Sequence, residues 1–129
     1  MEDIGKIKVG VQLYFDGMYE SSSEKIKKIF HSDARVAGYL NGELMLMSRD
    51  DFADFVGSQQ PSPKENSDEI ILEIVSCEIA GKTASVKVRD KYLGAMFLDT
   101  LSFINIDGDW KIYNKLFHVE SDWERQNSI

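Results

Sequence analysis

An acid, two histidines and a set of tyrosines are the residues of this chain whose types could do chemistry. Asp90 ends an alternating run, TASVKVRD, whose other same-side positions Ala84, Val86 and Val88 are aliphatic. A carboxylate in an apolar cavity has its pKa raised by desolvation toward working pH, which suits a general base for proton transfer. The same position serves equally as a solvated strand end, or pairs with Lys91. His31 and His118 are the only histidines; either could donate to a bound carbonyl or shuttle a proton. His31 also follows Phe30 where a helix should end, and there it can satisfy the last carbonyls of that helix. Asp90 and His31 are thus the candidate catalytic pair, with Tyr14 or Tyr39 as a further donor.

Other chemistries lack their residues. Two histidines and one remote cysteine, Cys77, give no zinc-ligand spacing, and Asp50, Asp51 and Asp54 read as a helix N-terminus and its wet face, so no metal is expected. Cys77 reads as a small hydrophobe, with no basic neighbour in sequence to lower its pKa. The chain has no glycine-rich phosphate loop and no nucleophile elbow. No cofactor is implied.

The elements that must position these groups follow from periodicity. Between Glu2 and Tyr19 the residues Ile4, Ile7, Val11, Tyr14, Phe15 and Met18 recur at spacings of three and four, predicting an amphipathic helix. SSSEKIKKIF carries a serine cap and a short second helix. Asn41-Gly42 is a hairpin turn between strands at 34–40 and 43–48. RDDFADFVG reads as a third short helix with Phe52, Phe55 and Val56 as its apolar face. SQQPSPKENSDE is a mobile connection. From Asp68 to His118 four antiparallel strands are joined by turns at Gly81-Lys82, Leu93-Gly94-Ala95 and Asp107-Gly108-Asp109. Helices in front of a sheet give a single α+β domain over 1–129.

Those turns, taken with Tyr92 opposite Met96 and Ile106 opposite Trp110, set a register. One face then holds Ala84, Val86, Val88, Leu98, Ile104, Ile106, Trp110, Ile112 and Leu116, under the helices. Asp90, Tyr92, Thr100, Asn114 and His118 interrupt it at one end. With Tyr14, Met18 and Tyr39 these would line a ligand pocket for a small, mostly apolar molecule. The aromatic and sulfur-bearing side chains around it serve equally as a filled core. The other face holds Arg89, Phe97, Asp99, Leu101, Phe103, Tyr113, Lys115 and Phe117, an apolar patch large enough to suggest a homodimer through the outer sheet face. A one-residue slip would exchange faces.

The chain has 129 residues and a net charge of −7 with a sequence pI near 4.8. Such a balance disfavours nucleic acid and anionic membranes, which need a basic face. The N-terminus lacks a signal-peptide pattern, no apolar run is long enough to span a bilayer, and a single cysteine fits a reducing cytoplasm.

INIDGDWKIYNKLFH, the strand MFLDTLSF before it and FHSDARVAGYLNGEL resemble the nuclear transport factor 2-like superfamily, and within it the "putative lumazine-binding" branch near the polyketide-cyclase-like (SnoaL-like) proteins. The resemblance covers nearly the whole chain. It implies a cystatin-like, cone-shaped α+β fold with the N-terminal helices on the concave face of a curved antiparallel sheet, a cavity between the layers, and frequent dimerisation through the outer face. It implies no single activity, because the superfamily holds isomerases, dehydratases, cyclases and ligand carriers. Its enzymes often use an Asp or a His–Asp pair inside the cone, and Asp99 is the acid that matches the family strand motif. Three readings remain open: a small-molecule-binding protein, a proton-transfer enzyme, and an interaction subunit working through its sheet face.

Overall fold

A computed structural model describes residues 2–122. Three helices, α1 (Asp3–Tyr19), α2 (Ser23–Ile29) and α3 (Arg49–Ser58), accompany six strands: β1 (Phe30–Leu40), β2 (Glu43–Ser48), β3 (Leu72–Ala80), β4 (Thr83–Tyr92), β5 (Ala95–Ile106) and β6 (Asp109–Asp122). The strands form one curved, unclosed sheet in the order β2-β1-β6-β5-β4-β3. Every pairing is antiparallel except β1 with β6, so the sheet is mixed where an antiparallel one was expected. That parallel pair joins the front hairpin to the meander. The helices cover the concave side.

The helix periodicity is realised as predicted. Ile7, Val11, Tyr14, Phe15 and Met18 are buried along α1, and Trp110 Nε1 donates to Asp3 Oδ1 at 3.1 Å, tying the helix start to the β5–β6 turn. Ser22 caps α2 by accepting from Lys25 N. Ser48 and Asp51 form a capping box on α3, each side chain bonding the other's backbone N–H. Losing one such cap costs about 1 kcal/mol, so Ser48→Ala is expected to lower the thermal midpoint by a few degrees, and an unchanged midpoint would show that the box contributes nothing.

The connection after α3 is pinned rather than mobile. Lys64 N donates to Tyr19 O at 2.8 Å and the Tyr19 hydroxyl donates to Asp68 O at 2.7 Å, while Ser62 and Pro63 are buried.

The sheet faces differ from expectation in an instructive way. Tyr92 pairs with Ala95 and Ile106 with Asp109, so both turns have two residues where three were expected. Positive φ at Leu93 and Gly94, and at Asp107 and Gly108, gives each the twist that a two-residue hairpin requires. The first one-residue difference moves all of β5: Phe97, Asp99, Leu101 and Phe103 lie on the concave side, and Leu98, Thr100, Ile104 and Ile106 do not. The second cancels the first at Trp110 and Ile112, which stay inside. A bulge at Tyr113, between the pairs Phe103–Ile112 and Ser102–Asn114, then inverts the rest of β6. Lys115 and Phe117 turn in; Asn114, Leu116 and His118 turn out.

The expected outer interface is therefore mostly core. Asp99 and Leu101 have no exposed surface, and Phe103 and Lys115 are buried; of the eight residues, Arg89 and Tyr113 face outward. Arg89 is clamped between Glu73 at 2.9 Å and Glu120 at 2.7 Å. The exposed large hydrophobics on the convex side include Tyr39, Tyr113 and Leu116.

Candidate active site

Concave positions of three adjacent elements bring a polar cluster into the core. On β4, Asp90 is 1% exposed; on β5, Asp99 is fully buried; on β6, Lys115 is 5% exposed. Tyr14 of α1 descends onto them, its hydroxyl donating to Asp99 Oδ2 at 2.7 Å. The Asp99 carboxyl is close enough to Asp90 to raise its pKa. Burial holds Asp90 well above the usual carboxylate range, Asp99 pushes it further, and the Lys115 ammonium pulls back. Burial and then Asp99 raise the Tyr14 phenol well above its ordinary value, so it stays a donor.

Three side-chain oxygens here are buried without a partner: Asp90 Oδ2, Asp99 Oδ1 and the Tyr92 hydroxyl. Polar groups this deeply buried are costly without a partner, about 1–3 kcal/mol each, and here they gather at one place. Burial raises the Tyr92 phenol too, which leaves its proton available to donate.

A pocket of about 250 Å³ opens onto this cluster. Asp90, Tyr92 and Lys115 line it together with Met18, Met45, Phe52 and Phe97, among others. The β1–β2 hairpin and α3 supply one wall and the β4–β5 turn the other. A larger depression of about 650 Å³ lies beside α1, but its polar residues, such as Gln12, Lys28 and Asp109, are exposed surface groups. The chemistry is concentrated in the smaller one.

Of the residues predicted from sequence, Asp90, Tyr14, Met18 and Tyr92 meet in this cluster and its pocket. The others do not. His31 packs its ring on Tyr113, 5.1 Å between centroids, and its Nδ1 accepts from Asp33 N, because the last turn of α2 passes directly into β1 and carries it away from the cavity. Tyr39 is 63% exposed. Thr100, Asn114 and His118 point outward for the register reasons above. Sequence reasoning missed Asp99 and Lys115 as site residues. For Asp99 the signal existed in the family strand motif; for Lys115 there was none short of locating the Tyr113 bulge.

Three helices packed on a curved, unclosed six-stranded sheet define a nuclear transport factor 2-like fold. The solved structures agree on the fold. NTF2-like proteins of unknown function from Silicibacter pomeroyi DSS-3 (24% identical, covering 91% of this chain and 95% of that one) and Methylobacillus flagellatus KT (26%, covering 92% and 93%) both superpose with a TM-score of 0.81. Within that class the chain belongs to the family described as "Putative lumazine-binding", whose model matches residues 2–118. A curated relative, Aldolase FrzH from Cladobotryum sp, is 28% identical over 105 residues, which cover 81% of this chain and 82% of that protein. No helix among the described residues is long and apolar enough to cross a membrane.

Proposed function

We propose that this protein is a proton-transfer enzyme that binds a small, largely apolar carbonyl compound and removes a proton from the carbon next to the carbonyl. The observation that carries this reading is the buried Asp90 carboxyl lining an apolar pocket beside Tyr92, with Asp99 as its buried neighbour. A carbon acid surrenders its proton to a carboxylate only if the carboxylate is basic enough, and burial beside a second acid makes Asp90 so. The developing enolate oxygen needs a donor fixed in advance. Tyr92, on the same face of β4 two residues away, offers an unengaged hydroxyl. Tyr14 holds Asp99 in place beside Asp90. Apolar walls exclude water, which would level these differences. An enolate so formed can be reprotonated elsewhere or can attack a second carbonyl; the likeness to a protein named as an aldolase supports the second outcome.

The test is deuterium uptake. Ketones and aldehydes small enough for the pocket, cyclohexanone and butanal among them, are incubated with protein in D₂O and followed by proton NMR. Exchange at the α-carbon is expected to exceed the buffer rate by roughly a hundredfold or more, the usual contribution of a positioned base. Exchange at the buffer rate for every compound would overturn the assignment and return the pocket to simple ligand binding.

A further inference from the structure

We infer that Lys115 is a catalytic amine that captures the substrate carbonyl as an imine. This deepens the proposal above, with an enamine in place of the enolate and Tyr92 as donor to the carbonyl oxygen before it leaves, and rests on its reading of the pocket as a carbonyl site. Lysine is among the residues least often buried unless paired, yet Lys115 is 5% exposed and lines the pocket. Its Nζ lies 4.0 Å from Met18 Sδ, 4.4 Å from the centroid of the Phe52 ring, 4.9 Å from that of Tyr14 and 5.9 Å from that of Phe117. Among the described residues no carboxylate reaches it within 4.0 Å. An amine kept only as a counter-ion would be expected against an oxygen. This one is held by rings and a thioether, with the acid pair as a nearby proton reservoir.

The site is balanced for the step. Passing a proton from an ammonium to a carboxylate in the same apolar pocket leaves a free amine and a neutral carboxyl, so the transfer leaves no charge buried. The amine nitrogen adds to the carbonyl carbon, forming the C–N bond as the oxygen takes up the proton the nitrogen gives up. A carboxyl of the pair then protonates that oxygen, the C–O bond breaks, water leaves, and a protonated imine remains. The freed carboxylate removes the α-proton, giving the enamine and restoring the carboxyl. No oxidant or further reactant is needed. An iminium is a far stronger electron sink than a neutral ketone, so the carboxylate has less to do than it would with a carbonyl alone.

The experiment is reductive trapping of the intact wild-type protein with butanal and sodium cyanoborohydride, read by peptide mass spectrometry. Lys115 is expected to gain one butyl group roughly tenfold faster than exposed Lys82 and Lys87, and to lose that preference in denaturant. Lys115→Arg, which keeps the charge and cannot form an imine, is expected to slow deuterium exchange roughly tenfold or more while the helical and sheet signals persist. Labelling at Lys115 no faster than at the exposed lysines would overturn the assignment, as would full exchange activity in Lys115→Arg. If either came with wild-type exchange still catalysed, the proton-transfer reading would survive. Preferential labelling without exchange would instead leave the amine standing and remove Asp90 as the base.

Discussion

Asp90→Asn is expected to yield a protein that folds more stably than the wild type at pH 7 and has lost its proton-transfer activity. Burial and Asp99 hold the native Asp90 carboxyl above its ordinary range, whereas in the unfolded chain it titrates near pH 4. The folded state therefore holds this proton more tightly than the unfolded one. Stability is greatest below the unfolded pKa and falls as pH rises from about 4 toward the raised native value, because folding in that window must take up a proton. Asparagine cannot ionise and so carries none of this cost. The variant should be the more stable of the two at neutral pH, and its stability should lose part of its downward slope as pH rises above about 4. Deuterium exchange should drop by roughly a hundredfold to ten-thousandfold. Chemical denaturation across pH, with exchange measured on the same samples, checks both. A variant that is less stable at pH 7 and keeps its exchange rate would place Asp90 among the structural groups.

The opposed signs matter more than either number. A residue kept for packing or pairing loses stability when it is replaced, and a base held in an apolar pocket gains it. The unpartnered oxygens at Asp90, Asp99 and Tyr92 are of the same kind: each is a local cost that the fold carries at one place. That place is also where the pocket opens.

What could be read from the sequence divides along the same line. The helix of 3–19, the capped α2 and α3, the Asn41-Gly42 hairpin and the four later strands are all set by local periodicity and turn residues, and the structure has them. The inward faces of β4 and of the start of β6 were also legible, since aliphatic residues alternate there without interruption. The site was legible only where it stands on β4 and α1, as Asp90, Tyr92, Tyr14 and Met18. On β5 and β6 the face of each residue depends on turn length and on where the bulges of their pairing fall. Both strands carry apolar or aromatic residues on each side, Leu98 and Ile104 against Phe97 and Phe103, Tyr113 against Phe117. Hydrophobic alternation therefore does not choose between registers, and the two-residue turns at Leu93-Gly94 and Asp107-Gly108 decide it. Lys115 shows the consequence. A lysine on an apparently outer face reads as solubility, and the same lysine one position later in register is a buried amine lining the pocket with Asp90.

Gly38→Ala is expected to damage both the fold and the pocket through a contact that no propensity scale reveals. Gly38 sits in β1 opposite Phe117 of β6, in the one parallel pairing of the sheet. A Cβ there would lie 2.5 Å from the Phe117 carbonyl oxygen and 2.6 Å from its ring carbons Cδ1 and Cγ. The ring could swing aside, but the carbonyl belongs to the ladder that holds β1 to β6 and cannot move alone. Relief requires spreading the two strands, and overpacking of this kind costs about 1–3 kcal/mol. For a domain of this size that is a fall in melting temperature on the order of 5–15 °C. The β1–β2 hairpin, with Leu40, Met45 and Met47, hangs from this pairing and forms one wall of the pocket, and Phe117 forms part of the lining. Spreading the strands should therefore loosen the site before the domain unfolds, so exchange activity should fall at temperatures where circular dichroism still reports native sheet. Gly57→Ala is a fitting control, since its added Cβ would meet only Ser23 at an ordinary 3.4 Å. If Gly38→Ala melts with Gly57→Ala and retains its activity, the ring has room to turn and the parallel seam is more compliant than its geometry implies. If it melts early and is inactive earlier still, the seam is what keeps the acid pair, the amine and the apolar walls at one site.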